Sequence, residues 1–404
     1  MSTPNKLFGG ILLIAGTTIG AGMLALPVVT GFAGFYPSVL LFLLFWVFMT
    51  FTAFLMLEVA LWMPPHTNLV TMARNTLGHW GEVTSWLVFL FLLYSLTTAY
   101  LAGGGPLFNE LIQSISGYTT PEWVGALPLL FIFGFFVYKG TRSVDYVNRL
   151  LMAGLVITYV LLVVFLTPHV NAKLLDHIAW AHLILATSIV ATSFGFHIII
   201  PSLVSYFDRD VPTLRRAILI GSAIPLVIYI MWEFLTLGII PLEGPHGISE
   251  GYAQGANGAH LLTVLLGNSA IAQVARFFSL FAIITSFLGV SLSLSDFLAD
   301  GFKIEKTRQG RLLLYVLTFL PPFLITLYDP RAFLSALEYA GAFGVMILLG
   351  LLPALMVWRG RYTLHFPSTF KAPGGKIALI GVVLFSLSII ALEIFNKART
   401  LYGN

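Results

Sequence analysis

The chain has 404 residues, 58% of them hydrophobic, with 37 Gly, 34 Phe and only 21 Lys+Arg and 17 Asp+Glu. At 9% charged residues, against roughly 25% in soluble domains, it has too little polar surface for a water-soluble globule, which excludes a soluble enzyme, a disordered chain, a collagen and a repeat solenoid. With no Cys, disulfides, thiol nucleophiles, iron–sulfur clusters and thiolate zinc sites are excluded, and the net charge of +4 forms no continuous basic patch for nucleic acid.

The charges separate apolar runs of about 20 residues, the length that crosses ~30 Å of hydrocarbon. In chain order these runs lie near 7–32, 36–62, 83–115, 123–139, 148–167, 181–206, 214–240, 271–299, 312–327, 333–357 and 377–395, which predicts eleven transmembrane helices in one all-α domain. Stretches such as LLFLLFWVF, Leu40 to Phe48, are apolar on every face and exclude barrel strands, which alternate. The first run continues past the length of a signal-peptide core and is expected to insert uncleaved. Residues 241–270 form the longest connection, and HLLTVLLGN within it is expected to fold as a short helix over the outer entrance.

Alternate connections differ sharply in basic content. Sixteen of the 21 Lys and Arg fall on one side, from Lys6 and Arg74 to Lys371 and Lys376. Four fall on the other side, Lys173, Arg331, Lys397 and Arg399, with Arg276 near the outer end of span 8. The positive-inside rule places the N-terminus in the cytoplasm and, for an odd number of spans, the C-terminus outside.

Two spans interrupt their own helices. Span 1 contains GTTIGAGMLALP, Gly16 to Pro27, and span 6 contains TSFGFHIIIPS, Thr192 to Ser202, each with Gly and small polar residues near mid-bilayer. Gly16 and Gly20 also fit a helix-packing motif, and His197 fits a buried structural histidine. Position favours function: span 1 opens residues 7–167 and span 6 opens residues 181–357, five spans each and oppositely oriented, with 377–395 left outside. Broken spans at matching places in two halves point to a binding site. Unwinding frees backbone groups that lipid cannot satisfy. An ammonium takes the carbonyls and a carboxylate takes N–H groups at a helix start, so a zwitterionic amino acid fits both.

At these residues the chain resembles the bacterial hydroxy and aromatic amino acid permeases, most closely the tyrosine-specific and tryptophan-specific members. The resemblance is carried by GTTIGAGMLALP, LEVALWMP (Leu57 to Pro64), AYLAGGG (Ala99 to Gly105), SFGFHIIIPSLVSYF (Ser193 to Phe207) and TSFLGVSLSLSDFLADG (Thr285 to Gly301), and runs essentially end to end. It implies the five-plus-five inverted repeat of the LeuT fold, shared by the amino acid, polyamine and organocation transporters. It also implies import of an aromatic amino acid, tyrosine first, then tryptophan or phenylalanine, across the bacterial cytoplasmic membrane by cation symport. An exchanger of the same fold is the alternative, with a membrane-embedded enzyme or sensor further behind. Patterns for intramembrane catalysis such as H-E-x-x-H are absent, so no enzyme and no cofactor is expected.

By the same resemblance, Thr17, Thr18, Gly20, Ala21 and Gly22 surround the substrate's amino-acid end, and Phe194, Gly195, Phe196 and His197 lie opposite, the phenylalanines offering flat surfaces to an aromatic ring. Tyr94 and Tyr100 in span 3 are candidates to reach the carboxylate or gate the pocket. A sodium-type site is implied at the carbonyls of Gly16, Ile19 and Ala282 with the hydroxyls of Thr285 and Ser286, five uncharged oxygens suited to a hard monovalent cation. The proton habit of the family instead needs a titratable group, for which His197 and the intramembrane Glu58 are the candidates. Na+ and H+ both stand as coupling ions.

Overall fold

The computed structural model describes residues 3–65, 67–267 and 270–402. The described residues are almost wholly helical. The first half comprises α1 (Thr3–Thr18), α2 (Gly22–Thr30), α3 (Phe35–Trp62), α4 (Leu69–Leu77), α5 (His79–Ser116), α6 (Gly134–Lys139) and α7 (Thr141–Leu166). After α8 (Ala172–Leu175) come α9 (Leu183–Ser193), α10 (Ile200–Tyr206), α11 (Val211–Leu237), α12 (Ile248–Gln254), α13 (Gly258–Leu266) and α14 (Ala270–Phe302). The chain closes with α15 (Arg308–Tyr328), α16 (Phe333–Tyr339), α17 (Leu352–Tyr362) and α18 (Gly375–Tyr402), the stretch Ala340–Leu351 between α16 and α17 being π-helical.

Among the described residues, nine helical stretches are long and apolar enough to cross a membrane, and α1 with α2 forms a tenth, bent by 54° at its break. The protein is therefore a multi-pass membrane protein. The expected span at 123–139 is weaker than the others. It is a helix of 17 residues or fewer, Trp123–Lys139, assembled from a 3-10 turn, a π-helical turn and α6, and falls short of the other spans in length. At 1.5 Å per residue it reaches about 25 Å, under the ~30 Å of hydrocarbon.

The loop between α11 and α14 folds as expected into a short helix, α13, preceded by α12; Asn268, at the end of the quoted stretch, lies outside the described residues. α13 rests on α14 and on α2, where Gly258 meets Pro27 and Leu24.

Lipid offers no hydrophobic drive between helices, so close approach through small residues determines which helices meet. A Cβ on Gly341 would lie 1.8 Å from the Ser188 carbonyl, so only glycine lets the π-helical stretch sit on α9. α14 packs between α5 and α7, α1 lies along α11, and α2 lies against α9, bringing both interrupted spans to the bundle centre. α18 packs on the π-helical stretch and on α17, at the margin of this arrangement.

Candidate functional site

α1 ends at Thr18 and α2 begins at Gly22. A Cβ on Gly20 would lie 2.8 Å from Ser286 Oγ, and one on Gly22 would lie 3.0 Å from Ser193 Oγ, so the glycines let this break press against α14 and α9 at once. The second break follows Ser193: Phe194, Gly195 and Phe196 leave the helix before a single 3-10 turn, His197–Ile199, leads into α10.

A half-helix that stops inside a membrane leaves carbonyls without partners. Tyr229 of α11 answers this for both half-helices. Its hydroxyl lies 2.7 Å from the Thr18 carbonyl and 2.9 Å from the Ser193 carbonyl, the last residues of α1 and α9, and shares its one proton between them. On the other side the Ala21 N–H donates to Ser286 Oγ at 2.8 Å, and Tyr100 of α5 lines the same cavity as Ser286. The first break is thereby tied to α11 and α14.

Between the breaks lies a cavity of about 390 Å³, within the roughly 300–1,000 Å³ of small-molecule sites. Its polar wall is Gly16 to Gly20 and Gly22 of the first break, Thr192, Ser193 and Gly195 of the second, and Thr285 and Ser286 of α14. Its apolar wall includes Phe89, Leu92 and Leu96 of α5, Met152 of α7, and Ile198 and Ile199. Phe89 and Asn148 lie in the first third of α5 and α7, Met152 near the middle of α7, and Ser293 in the last third of α14, so the lining extends from the breaks toward the basic end of the bundle.

Of the residues singled out from the sequence, Gly16, Thr17, Thr18, Ile19, Gly20, Gly22, Tyr100, Gly195, Thr285 and Ser286 all line this one cavity. Gly16 has open space where a Cβ would stand, so it faces the cavity and not a neighbouring helix. Ala21 does not line the cavity but contributes its N–H to Ser286. The Thr17 and Thr18 hydroxyls donate back to the carbonyls of Leu13 and Ile14, at 2.7 and 2.8 Å.

Phe194, Phe196, His197 and Tyr94 stand elsewhere. Phe194 is buried against Phe42 and Tyr229, with ring centroids 6.2 and 5.2 Å apart, and Phe196 is buried beside His197. Both rings are buried in the bundle and neither lines the cavity, where Phe89 is the phenylalanine on the wall. His197 is fully buried with Nε2 2.8 Å from Thr52 Oγ1. Tyr94 packs toward α15, where its hydroxyl donates to the Leu317 carbonyl at 2.7 Å.

Glu58 is not a free intramembrane carboxylate. It receives both arms of the Arg361 guanidinium, Nε at 2.6 Å, and the Ala372 N–H at 2.8 Å, which fastens α3 to the end of α17 and to the connection before α18. Of the five expected sodium ligands, Ala282 is off the cavity wall and its carbonyl accepts from the Thr285 hydroxyl at 3.1 Å.

Two residues of α11 were missed by inspection of the sequence. Tyr229 sits in IPLVIYIMWEF, where nothing distinguishes a bridging tyrosine from an interfacial one. Glu233, four residues on, is an intramembrane carboxylate like Glu58 and the same rule marks it out. A second cavity of about 450 Å³, lined by Glu110, Asn257, His260 and Arg331, occupies the other end of the bundle. Tyr100 faces the central cavity and its neighbour Leu101 faces this one.

A helical membrane bundle with two interrupted spans around one cavity is the architecture of a permease, and comparison with known proteins is specific. Residues 3–393 match the model of the tryptophan/tyrosine permease family, and the chain belongs to that family. It is 36% identical over 401 residues to tyrosine-specific transport system 1 of Haemophilus influenzae, covering 98% of each chain. It is 34% identical over 398 residues to the tryptophan-specific transport protein of Pseudomonas aeruginosa, covering 96% of this chain and 94% of that one. The low affinity tryptophan permease of Escherichia coli is 30% identical over 399 residues, with 96% and 94% covered. The family and these relatives are transport proteins, not enzymes.

Proposed function

We propose that this protein carries an aromatic amino acid, tyrosine in first place, across the bacterial cytoplasmic membrane by cation symport. The basic end of the bundle faces the cytoplasm and the central cavity opens there. The observation that supports this reading most is the cavity between the two breaks, which sets unwound backbone on one side and a Phe, Leu and Ile wall on the other. Main-chain groups of residues 16–22 take the charged end of the substrate, and Phe89, Leu92, Leu96, Ile198 and Ile199 take the ring. Burying an aromatic side chain supplies most of the affinity, while the charged ends fix its direction.

Residues 7–167 and 181–357 act as two oppositely oriented repeats, and rocking of spans 1, 2, 6 and 7 against the remainder exposes the cavity alternately to the two sides. Gly16, Ile19, Thr285 and Ser286 line the cavity and are the sodium-type alternative to a titratable coupling group. Binding of tyrosine, tryptophan and phenylalanine to purified protein tests the site. Gly22→Leu, which drives a side chain into Ser193, is expected to weaken tyrosine binding at least tenfold, about 1.4 kcal/mol, with expression retained. Unchanged binding would place the substrate elsewhere.

A further inference from the structure

Glu233 is fully buried near the end of α11, and among the described residues it takes part in no ion pair. Its Oε1 meets the Thr30 hydroxyl, at the last residue of α2, while Oε2 has no hydrogen-bond partner. Thr30 has one hydroxyl proton, and the Leu26 carbonyl lies 2.6 Å from that hydroxyl as its acceptor. That hydroxyl can donate to only one of the two at a time, and whenever its proton goes to Leu26 the contact with Glu233 is made by a proton on the carboxyl, which donates to Thr30. An ionised carboxylate sealed here without a cation or a second donor is the costly alternative.

Among the described residues no cation pairs with Glu233, and the nearest candidates, Lys173 and His177, line a neighbouring cavity, His177 with Nε2 3.0 Å from the Phe32 carbonyl. α2 has no titratable side chain. On α1, Lys6 pairs with Asp208; on α3, Glu58 pairs with Arg361 and Tyr36 is exposed; on α13, His260 pairs with Glu110. The charged residues of α7, Arg142, Asp145 and Arg149, and its Tyr146 lie in its first turns, at the basic end, and its Tyr159 donates to the Ile228 carbonyl. On α11 itself Arg215 and Arg216 are also at the basic end, and Tyr229 is committed to the two breaks. Lys173 of α8 instead lines a cavity of about 160 Å³ at the far end of the bundle.

That small cavity also touches Gly31 and Leu237, the residue after Thr30 and the residue one turn beyond Glu233. One turn in the other direction stands Tyr229, which holds both helix breaks. Glu233 therefore lies on α11 between a cavity at the outer end and the hydroxyl that fixes the substrate site.

We propose that Glu233 is the proton-binding group of the transport cycle: it carries a proton while the outer end is sealed over it, and gives it up when rearrangement of α2 and α11 admits water. The proposal rests on the symport reading above and assigns its coupling ion to this carboxyl. The hydroxyl-rich wall at Thr285 and Ser286 is then polar lining of the substrate cavity.

Two measurements test it. Infrared spectra of the purified protein at neutral pH are expected to show a protonated carboxyl band that is lost in Glu233→Gln and shifted in Thr30→Val. A band unchanged in both variants would overturn the proposal, whatever the substrate is. In proteoliposomes, the ratio of tyrosine uptake under an inward proton gradient to tyrosine counterflow without one is expected to be several-fold in the wild type and to fall to about one in Glu233→Gln. A ratio kept at the wild-type value would overturn it. Wild-type vesicles showing the band but no tyrosine counterflow would support the protonated carboxyl and contradict the tyrosine reading alone.

Discussion

Tyr229 is the residue on which the geometry of the site turns. It supplies one hydroxyl to two carbonyls that end two half-helices. Tyr229→Phe removes that donor and keeps the ring against Phe194. An unsatisfied buried acceptor costs about 1–3 kcal/mol, so tyrosine affinity is expected to fall by roughly tenfold, read by equilibrium binding. An affinity equal to wild type would mean that the breaks hold their shape without the bridge. At the ion-facing wall, Thr285→Val keeps the volume and removes the hydroxyl. A sodium-coupled carrier would then need more sodium for half-maximal uptake, whereas assignment of coupling to Glu233 predicts an unchanged sodium titration.

The residues of the first break were legible because glycine and threonine in the middle of an apolar span are unusual enough to be noticed one by one. The second break was legible as a segment but not as side chains. SFGFH announced an interruption, yet whether Phe194 and Phe196 face the cavity or the bundle depends on dihedral angles in three non-helical residues, and no periodicity governs those. The structure turns both inward, and the apolar wall of the cavity is formed by Phe89, Leu92 and Leu96 among others. Those three lie in a long unbroken helix where every apolar residue looks alike in sequence. Glu58 and Glu233 show the same limit. Glu58 stood out as an intramembrane carboxylate and Glu233, which the same rule marks out, was passed over; only the fold reveals that the first is clamped by Arg361 and that the second, among the described residues, pairs with no cation.

At the scale of elements, helices were easy to locate and their joints were not. The apolar runs predicted from hydropathy coincide with the long helices to within a few residues, because length and apolarity are what a bilayer demands. The run at 123–139 is the exception, since Pro121, Pro128 and Gly134 divide it into short turns of different pitch. The clamp between α3 and the end of α17 belongs to this scale. Arg361→Leu leaves Glu58 buried beside a single N–H donor, and breaking a buried pair from one side costs about 3–5 kcal/mol. A clearly lower melting temperature in detergent is expected, with much of the loss recovered in the double variant Glu58→Leu with Arg361→Leu. A double variant as unstable as the single one would mean that packing, not charge, holds that corner.

The far end of α18 carries a related joint. Lys397 lies 2.6 Å from Glu338 of α16, and Glu393 accepts from Ser188 of α9 at 2.7 Å, so the last helix is fastened by an ion pair to α16 and by a hydrogen bond to the first half of the second interrupted span. Lys397→Met is expected to loosen α18 first, seen as faster hydrogen exchange in α18 and α16 than in α5. Uniform exchange across the bundle would show that the pair contributes nothing local.

For the whole molecule, one conformation is described, with the central cavity lined by both breaks and by Tyr100, and α13 packed on α2 and α14. Alternating access requires a second conformation in which the cavity of about 450 Å³ beside Leu101 joins the central one. The central claim is that an aromatic amino acid passes through the cavity between the two breaks. It is tested most directly by tyrosine uptake into proteoliposomes of the purified protein, with sodium and proton gradients imposed separately, tryptophan as competitor, and Gly22→Leu measured alongside. The account predicts concentrative uptake driven by the proton gradient, reduced by tryptophan and abolished in Gly22→Leu. Tyrosine uptake no greater than in empty vesicles under either gradient, or uptake untouched in Gly22→Leu, would contradict it.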